Sequence, residues 1–270
     1  YRVLFYIPVM VPAVVTALIF LWMLNPETGF VNYGLNLALR PLGLSAPAWF
    51  TEPEWTKPAV ILLLVWGCGG TVIIWLAGLK DIPLPKRPAS VQSDLVSVLE
   101  KRKSVRDYRS EKLSTQDLSA ILWAANGVNR DYGRRTAPAA FGNDYIDVYV
   151  VSDEGAWRYD AIAHRLKAAA PAGLKERLTG QRFVGRASHV LVLVADSGKI
   201  PGLFAGSEDR LRWAHATAGA IAQNVYLMGA ACGVGTCLVA GIDEGAIRKG
   251  LNLSNTAIPL YVMPLGYEEK

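Results

Sequence analysis

The residues with the clearest chemical potential stand at Lys101-Arg-Lys-Ser-Val-Arg-Asp-Tyr108. In an extended chain, side chains alternate with period two, so Arg102, Ser104 and Arg106 share one side. Two guanidinium groups and a hydroxyl then converge on one locus. Such forked, permanently charged donors suit phosphate oxygens and polarised carbonyls. The same octapeptide also suits a solvated basic turn. Other reactive residue types offer less: Cys68, Cys232 and Cys237 are odd in number and lack metal spacing, so they read as buried free thiols. His164, His189 and His215 are scattered, which argues against a histidine metal site or a Ser/His/Asp triad.

These residues need a scaffold, and from about Ser93 the pattern is that of an α+β domain. Leu95, Val98, Leu99 and Arg102 suit a short helix. Leu118, Ile121, Leu122 and Ala125 recur at i, i+3, i+4 and i+7 behind a capping-type start at Ser114 to Asp117. Ile146–Val151 and His189–Ala195 are β-branched runs of strand length, and Trp157–Asp160 follows a turn at Asp153-Glu154-Gly155. Asp209–Ala231 reads as a long Ala-rich helix ending at Cys232-Gly233, with Trp213, Ala216, Ala220, Gln223, Asn224 and Leu227 available for its buried face. Net charge is +5, but basic and acidic residues are interleaved and no groove-reading motif appears, which disfavours nucleic acid.

Further pieces follow in order. Leu122–Arg130 precedes Gly133-Arg-Arg-Thr-Ala-Pro-Ala-Ala140, whose small residues let backbone approach a flat ligand. Then come Ala220–Leu227, Gly233-Val-Gly-Thr236, Val239-Ala-Gly-Ile-Asp243 and Tyr261–Tyr267. The ordered set resembles the nitroreductase family of FMN enzymes, nearest its short SagB-like branch, over about residues 88–270. The resemblance implies an α+β fold with a mixed sheet flanked by helices, an interlocked homodimer, FMN at the dimer interface and NAD(P)H as electron donor. It implies that Arg102 and Ser104, with Lys103, hold the flavin phosphate and ribityl end, and that Arg106 sits at the pyrimidine edge. Pro138, Ala139 and Ala140 would line the ring from the partner subunit, and Gly241 would present its N–H near flavin N5. No residue stands out as a substrate acid or base. Two departures weaken the match: Ala139 stands where the family usually has Ser, and only Glu268, Glu269 and Lys270 follow the final Gly-Tyr, leaving Arg134, Arg135 or Arg248 to complete a phosphate site.

The chain before residue 88 has a different character, with 51% apolar content overall concentrated in two uncharged runs. Residues 1–24 carry one charge, Arg2, and residues 58–79 lie between Lys57 and Lys80. As helices, runs of this length reach about 33–36 Å, enough to cross a hydrocarbon core of about 30 Å. Two transmembrane helices are therefore expected, joined through a linker at 84–92 to a soluble domain at 93–270. Lys80, Lys86, Arg87 and Lys101–Lys103 follow the second run, so positive-inside bias places that domain in the cytoplasm on an inner membrane. Residues 1–83 resemble a permease subunit of bacterial sugar ABC importers, in the order YRVLFYIPVMVPAVVTALIFLWMLNPETGFVN, a polar loop, then AVILLLVWGCGGTVIIWLAGLKDIP. The permease coupling loop is absent: Leu84-Pro-Lys-Arg-Pro88 follows instead. Two functions are thus expected in competition, a membrane-tethered flavin oxidoreductase and a truncated transport subunit that would partner a binding protein and an ABC ATPase.

Overall fold

The computed structural model describes residues 13–67, 80–85, 94–142, 144–200 and 206–269. The chain divides into two compact units, Tyr1–Gly78 and Leu79–Lys270.

The first unit holds helices α1 (Ala13–Met23), α2 (Phe30–Leu39) and α3 (Pro53–Gly67). Phe20, Leu24, Trp49 and Ala59 form its core. The buried Asn32 amide donates to Pro47 O at 3.1 Å and accepts from Trp49 Nε1 at 2.6 Å, which ties the polar connection to α2. The expectation of two membrane-crossing helices, and with it the inner-membrane placement, is corrected: among the described residues, no helix is long and apolar enough to cross a membrane. The described helices have 11 and 15 residues where the spans were expected, about 16 and 22 Å against a core of about 30 Å. The asparagine side chain of Asn25 accepts from the Glu27 and Thr28 N–H groups in the turn after α1. Helix α3 starts ahead of the apolar run and takes in Glu54 and Lys57. Residues 1–12 and 68–79 of the two runs, with Cys68, lie outside the described residues, as does 86–92 of the expected linker.

The second unit runs β1 (Ile82–Pro83), α4 (Leu95–Lys101), α5 (Thr115–Asn126), β2 (Val128–Arg130), β3 (Arg134–Arg135), β4 (Ile146–Val151), β5 (Gly155–Asp160), β6 (Arg165–Pro171), α6 (Arg182–Arg186), β7 (His189–Asp196), α7 (Ser207–Cys232), β8 (Val234–Thr236), α8 (Glu244–Gly250) and β9 (Ala257–Tyr267). Seven strands form one sheet in the order β1-β6-β5-β4-β7-β9-β8. The expected mixed sheet is instead antiparallel at every described pairing. Short turns join β4, β5 and β6, a connection that only antiparallel neighbours permit.

Period-two alternation gives the central strands two buried faces. Leu191, Leu193 and Ala195 of β7 join the cluster that includes Ile121 and Leu122 of α5 and Ala218, Ile221 and Val225 of α7. Val190, Val192 and Val194 join the opposite cluster, with Leu174, Val184 and Ile247. Helix α5 is capped as its sequence suggests, Ser114 Oγ accepting from Asp117 N at 3.0 Å. Helix α7 ends at Gly233, whose φ of 73° suits glycine and few other residues. Its inward face, however, is Ala214, Thr217, Ala218, Ile221, Ala222 and Val225, while Ala216 and Gln223 of the expected face are exposed.

The segment after α4 leaves the helix at Arg102, whose backbone is extended, and docks along the sheet edge. Val105 N donates to Thr236 O and Arg109 N to Tyr267 O, both at 2.9 Å. Buried Val105 lies over Gly235, where an added Cβ would stand 2.7 Å from the valine Cβ. We expect Gly235→Ala to destabilise the protein by about 1–3 kcal/mol through overpacking, with Val105→Ala in the double variant recovering part of that loss in urea unfolding. Additive losses would show that the two residues do not share this contact.

His189, at the start of β7, is mostly buried, and burial pushes its imidazole down to about 4, with the charges of Lys175 and Lys112 acting in the same direction. The unfolded imidazole protonates near 6.5 while the folded one stays neutral. Its contribution to stability is therefore complete above pH about 6.5 and declines towards pH about 4, by about 1.4 kcal/mol per pH unit. In pH-dependent urea unfolding, His189→Gln is expected to flatten this decline. An unchanged slope would assign it to other groups.

Candidate functional site

Docking of residues 102–109 on the edge strand fixes which way the charged residues face. Arg102 Cζ stands 5.3 Å from the centre of the Tyr226 ring, on the C-terminal half of α7. Ser104 Oγ and Tyr226 Oη share a hydrogen bond of 3.1 Å. The same Tyr226 oxygen accepts from Leu238 N at 2.8 Å, which holds the strand-to-loop exit after β8 against the cluster. Arg106 Cζ lies 5.9 Å from the Phe183 ring centre on α6. Just before α6, Thr179 Oγ1 donates to Gly241 O, and a Cβ on Gly241 would meet Gln181 Nε2 at 3.4 Å. Arg102 and Ser104 thus meet at Tyr226, while Arg106 and Gly241 both adjoin the 179–183 segment.

Neither the Arg102 nor the Arg106 guanidinium pairs with a carboxylate among the described residues, whereas Arg109, Lys112 and Arg186 each do. Lys103 faces elsewhere and pairs with Glu268. With Lys101, Tyr226 and Thr236 this pair borders a cavity of about 150 Å³. The buried Thr236 Oγ1 there has no hydrogen-bond partner, so the cavity holds an unused polar group. The donor set of two uncompensated guanidiniums, hydroxyls and an exposed glycine backbone fits an anionic, hydrogen-bond-accepting ligand.

The Pro138–Ala140 loop sits elsewhere in the chain. Ala140 N donates to Tyr145 Oη at 3.1 Å, and Tyr145 Oη bonds Thr217 Oγ1 at 2.7 Å. Phe141, with a left-handed φ of 59°, sets its ring edge-on to Trp213 at 5.1 Å. The loop is therefore anchored on the N-terminal half of α7. From Thr217 to Tyr226 the helix rises about 14 Å, which is the separation along α7 between the anchor of this loop and that of Arg102 and Ser104. Of the expected phosphate partners, Arg135 pairs with Asp144 and donates to Asn126 O, and Arg248 donates to Ser254 O. Neither joins Tyr226. Tyr226 itself lay inside a segment prominent in the sequence, but nothing there marked its hydroxyl as the hub. Phe183 and Thr179 carried no signal. Burial pushes the Cys232 thiol up to about 11, which leaves it protonated and a poor nucleophile.

An antiparallel sheet buried on both faces by helices, with residues 102–109 docked on its edge, defines an α+β protein. The sequence profile described as Nitroreductase family matches residues 99–267, more than half of the chain. The MJ1384 protein of Methanocaldococcus jannaschii, which carries a nitroreductase name, is 35% identical and aligns over 73% of this chain and 98% of its own. A crystal structure from Ralstonia eutropha JMP134, also carrying a nitroreductase name, superposes with a TM-score of 0.66 at 34% identity, covering 71% of this chain and 90% of that one. The chain belongs to the nitroreductase family and is an oxidoreductase of that family. A separate likeness links 84 residues, at 38% identity, to the xylose/arabinose import permease protein XacH of Haloferax volcanii, and spans 25% of that permease.

Tyr226→Phe is expected to cost about 1–3 kcal/mol in urea unfolding, since Leu238 N–H then lacks its acceptor. A loss below about 0.5 kcal/mol would mean that the hydroxyl does not organise the cluster.

Proposed function

We propose that the second unit is an FMN-dependent oxidoreductase that uses NAD(P)H to reduce a small organic substrate. The observation that carries the reading is that Arg102 and Arg106, on one extended segment, lie against Tyr226 and Phe183 without carboxylate partners among the described residues. Arg102 and Ser104 would hold the phosphate and ribityl end, steadied by Tyr226. Lys101, Lys103 and Thr236 line the adjoining cavity, where Lys103 pairs with Glu268. Arg106 would supply positive charge at the pyrimidine edge, where charge accumulates on reduction, and the Gly241 N–H would donate to N5. Bound flavin would accept and pass on the hydride, while this chain supplies binding, orientation and electrostatics.

The separation along α7 supports a site shared between two copies, in which Pro138, Ala139 and Ala140 of one protomer would cover the ring held by its partner. Leu95, Val96 and Leu99 of α4 are exposed apolar residues, and Leu95, Trp123, Leu227 and Met228 border a groove of about 400 Å³, surfaces suited to a second copy. Absorbance of the purified chain tests the reading. We expect bands of oxidised flavin that bleach with NADH or NADPH, and at least about a hundredfold weaker FMN binding in the Arg102→Ala/Arg106→Ala variant, from two charge-assisted bonds of about 1.5–3 kcal/mol each. A chain that gains no flavin bands when FMN is added would refute it.

A further inference from the structure

At the end of the sheet where β4 turns into β5 and β7 begins lies a second cavity, of about 430 Å³. One of about 180 Å³ adjoins it under Ile82 and Leu84, sharing Lys112, Ser152, Glu154 and His189 as walls. Neither includes Arg102, Ser104, Arg106, Tyr226 or Gly241. The wall of the larger cavity contains Lys175, only 7% exposed. Its ammonium donates to Ala187 O at 3.0 Å and pairs with Asp153 at 2.7 Å, a carboxylate that is itself 76% exposed. These use two of the three N–H donors of a buried cation.

His189 supplies the second group. Its Nδ1 bonds Ser188 Oγ at 2.9 Å, and that oxygen already accepts from Leu113 N at 2.9 Å. In the tautomer in which the serine hydroxyl donates to Nδ1, the imidazole proton sits on Nε2. That N–H has no partner among the described residues, and its ring borders both cavities. Arg109, Lys112 and Arg186 also border the larger cavity, each paired with a carboxylate, Glu111, Glu154 and Asp107 in turn. The donors left for a ligand are the third Lys175 N–H and the His189 Nε2–H.

We propose that this cavity is a second ligand site, taking a small oxyanion such as a carboxylate or phosphate group between the Lys175 ammonium and the His189 Nε2–H. The group accepts from both donors and leaves the Lys175–Asp153 pair in place as its outer wall. Burial keeps the imidazole neutral at physiological pH, so His189 acts as a hydrogen-bond donor and Lys175 as the charge. The site is independent of flavin binding.

Titration of the full chain with inorganic phosphate and, separately, acetate, followed by the imidazole NMR signals of His189, tests the proposal. His189→Gln assigns those signals. We expect a saturable shift of the His189 signals with at least one anion, weakened at least about tenfold in Lys175→Met by loss of a charge-assisted bond. The shift should persist in Arg102→Ala/Arg106→Ala, which removes the competing anion site. His189 signals unmoved by both anions in the wild-type chain would overturn the proposal, whether or not the Lys175 variant folds. So would a shift unchanged in a folded Lys175→Met, or one abolished in the double arginine variant.

Discussion

Everything about the arginine cluster depends on one steric fit, the Val105 side chain lying over the bare Cα of Gly235. That contact lets residues 102–109 approach β8 and β9 closely enough for backbone hydrogen bonds at Thr236 and Tyr267. Once the segment is pinned, alternation leaves Arg102, Ser104 and Arg106 free of the sheet while Val105 is buried and Lys103 turns to Glu268. Two guanidiniums held over aromatic rings rather than against carboxylates retain their charge for a ligand.

Much of this was legible because the signals were local. The period-two reading of the octapeptide and the Ser114 cap of α5 rest on residues a few positions apart, and the β-branched runs of β4 and β7 announce doubly buried strands. Arg102 and Arg106 are read together because they travel on one extended segment. The role of Tyr226 was not legible, since it follows from packing α7 against residues more than a hundred positions away. The inward face of α7 was misjudged because an Ala-rich helix offers several nearly equivalent faces, and only the sheet beneath it chooses among them. Strand β6, with Lys167-Ala-Ala-Ala170, lacks the β-branched residues that mark a strand and is placed by its neighbour β5.

The N-terminal unit shows the limit of composition as evidence. Apolar run length sets how long a helix could be, while turns and side-chain hydrogen bonds decide where it stops. Beyond the N-terminal unit, residues 80–85 are held within the second one: Ile82 and Pro83 pair with β6, Trp157 Nε1 donates to Lys80 O at 3.0 Å, and Ser119 Oγ donates to Pro85 O at 2.8 Å. His164 joins that arrangement through Ser119 and Tyr159, both at 2.8 Å, and burial holds its pKa below the ordinary value.

The separation along α7 gives the proposal its sharpest consequence: under it, the small-residue loop of one copy and the arginines of another serve the same site. Subunit complementation measures this directly, by refolding Pro138→Trp chains together with Arg102→Ala/Arg106→Ala chains and reading bound flavin by absorbance. The account predicts that each parent is nearly colourless and that the mixture recovers flavin, since a mixed dimer holds one intact pairing of loop and arginines. A Pro138→Trp parent that binds flavin normally, or a mixture no more coloured than its parents despite forming mixed dimers, would contradict it.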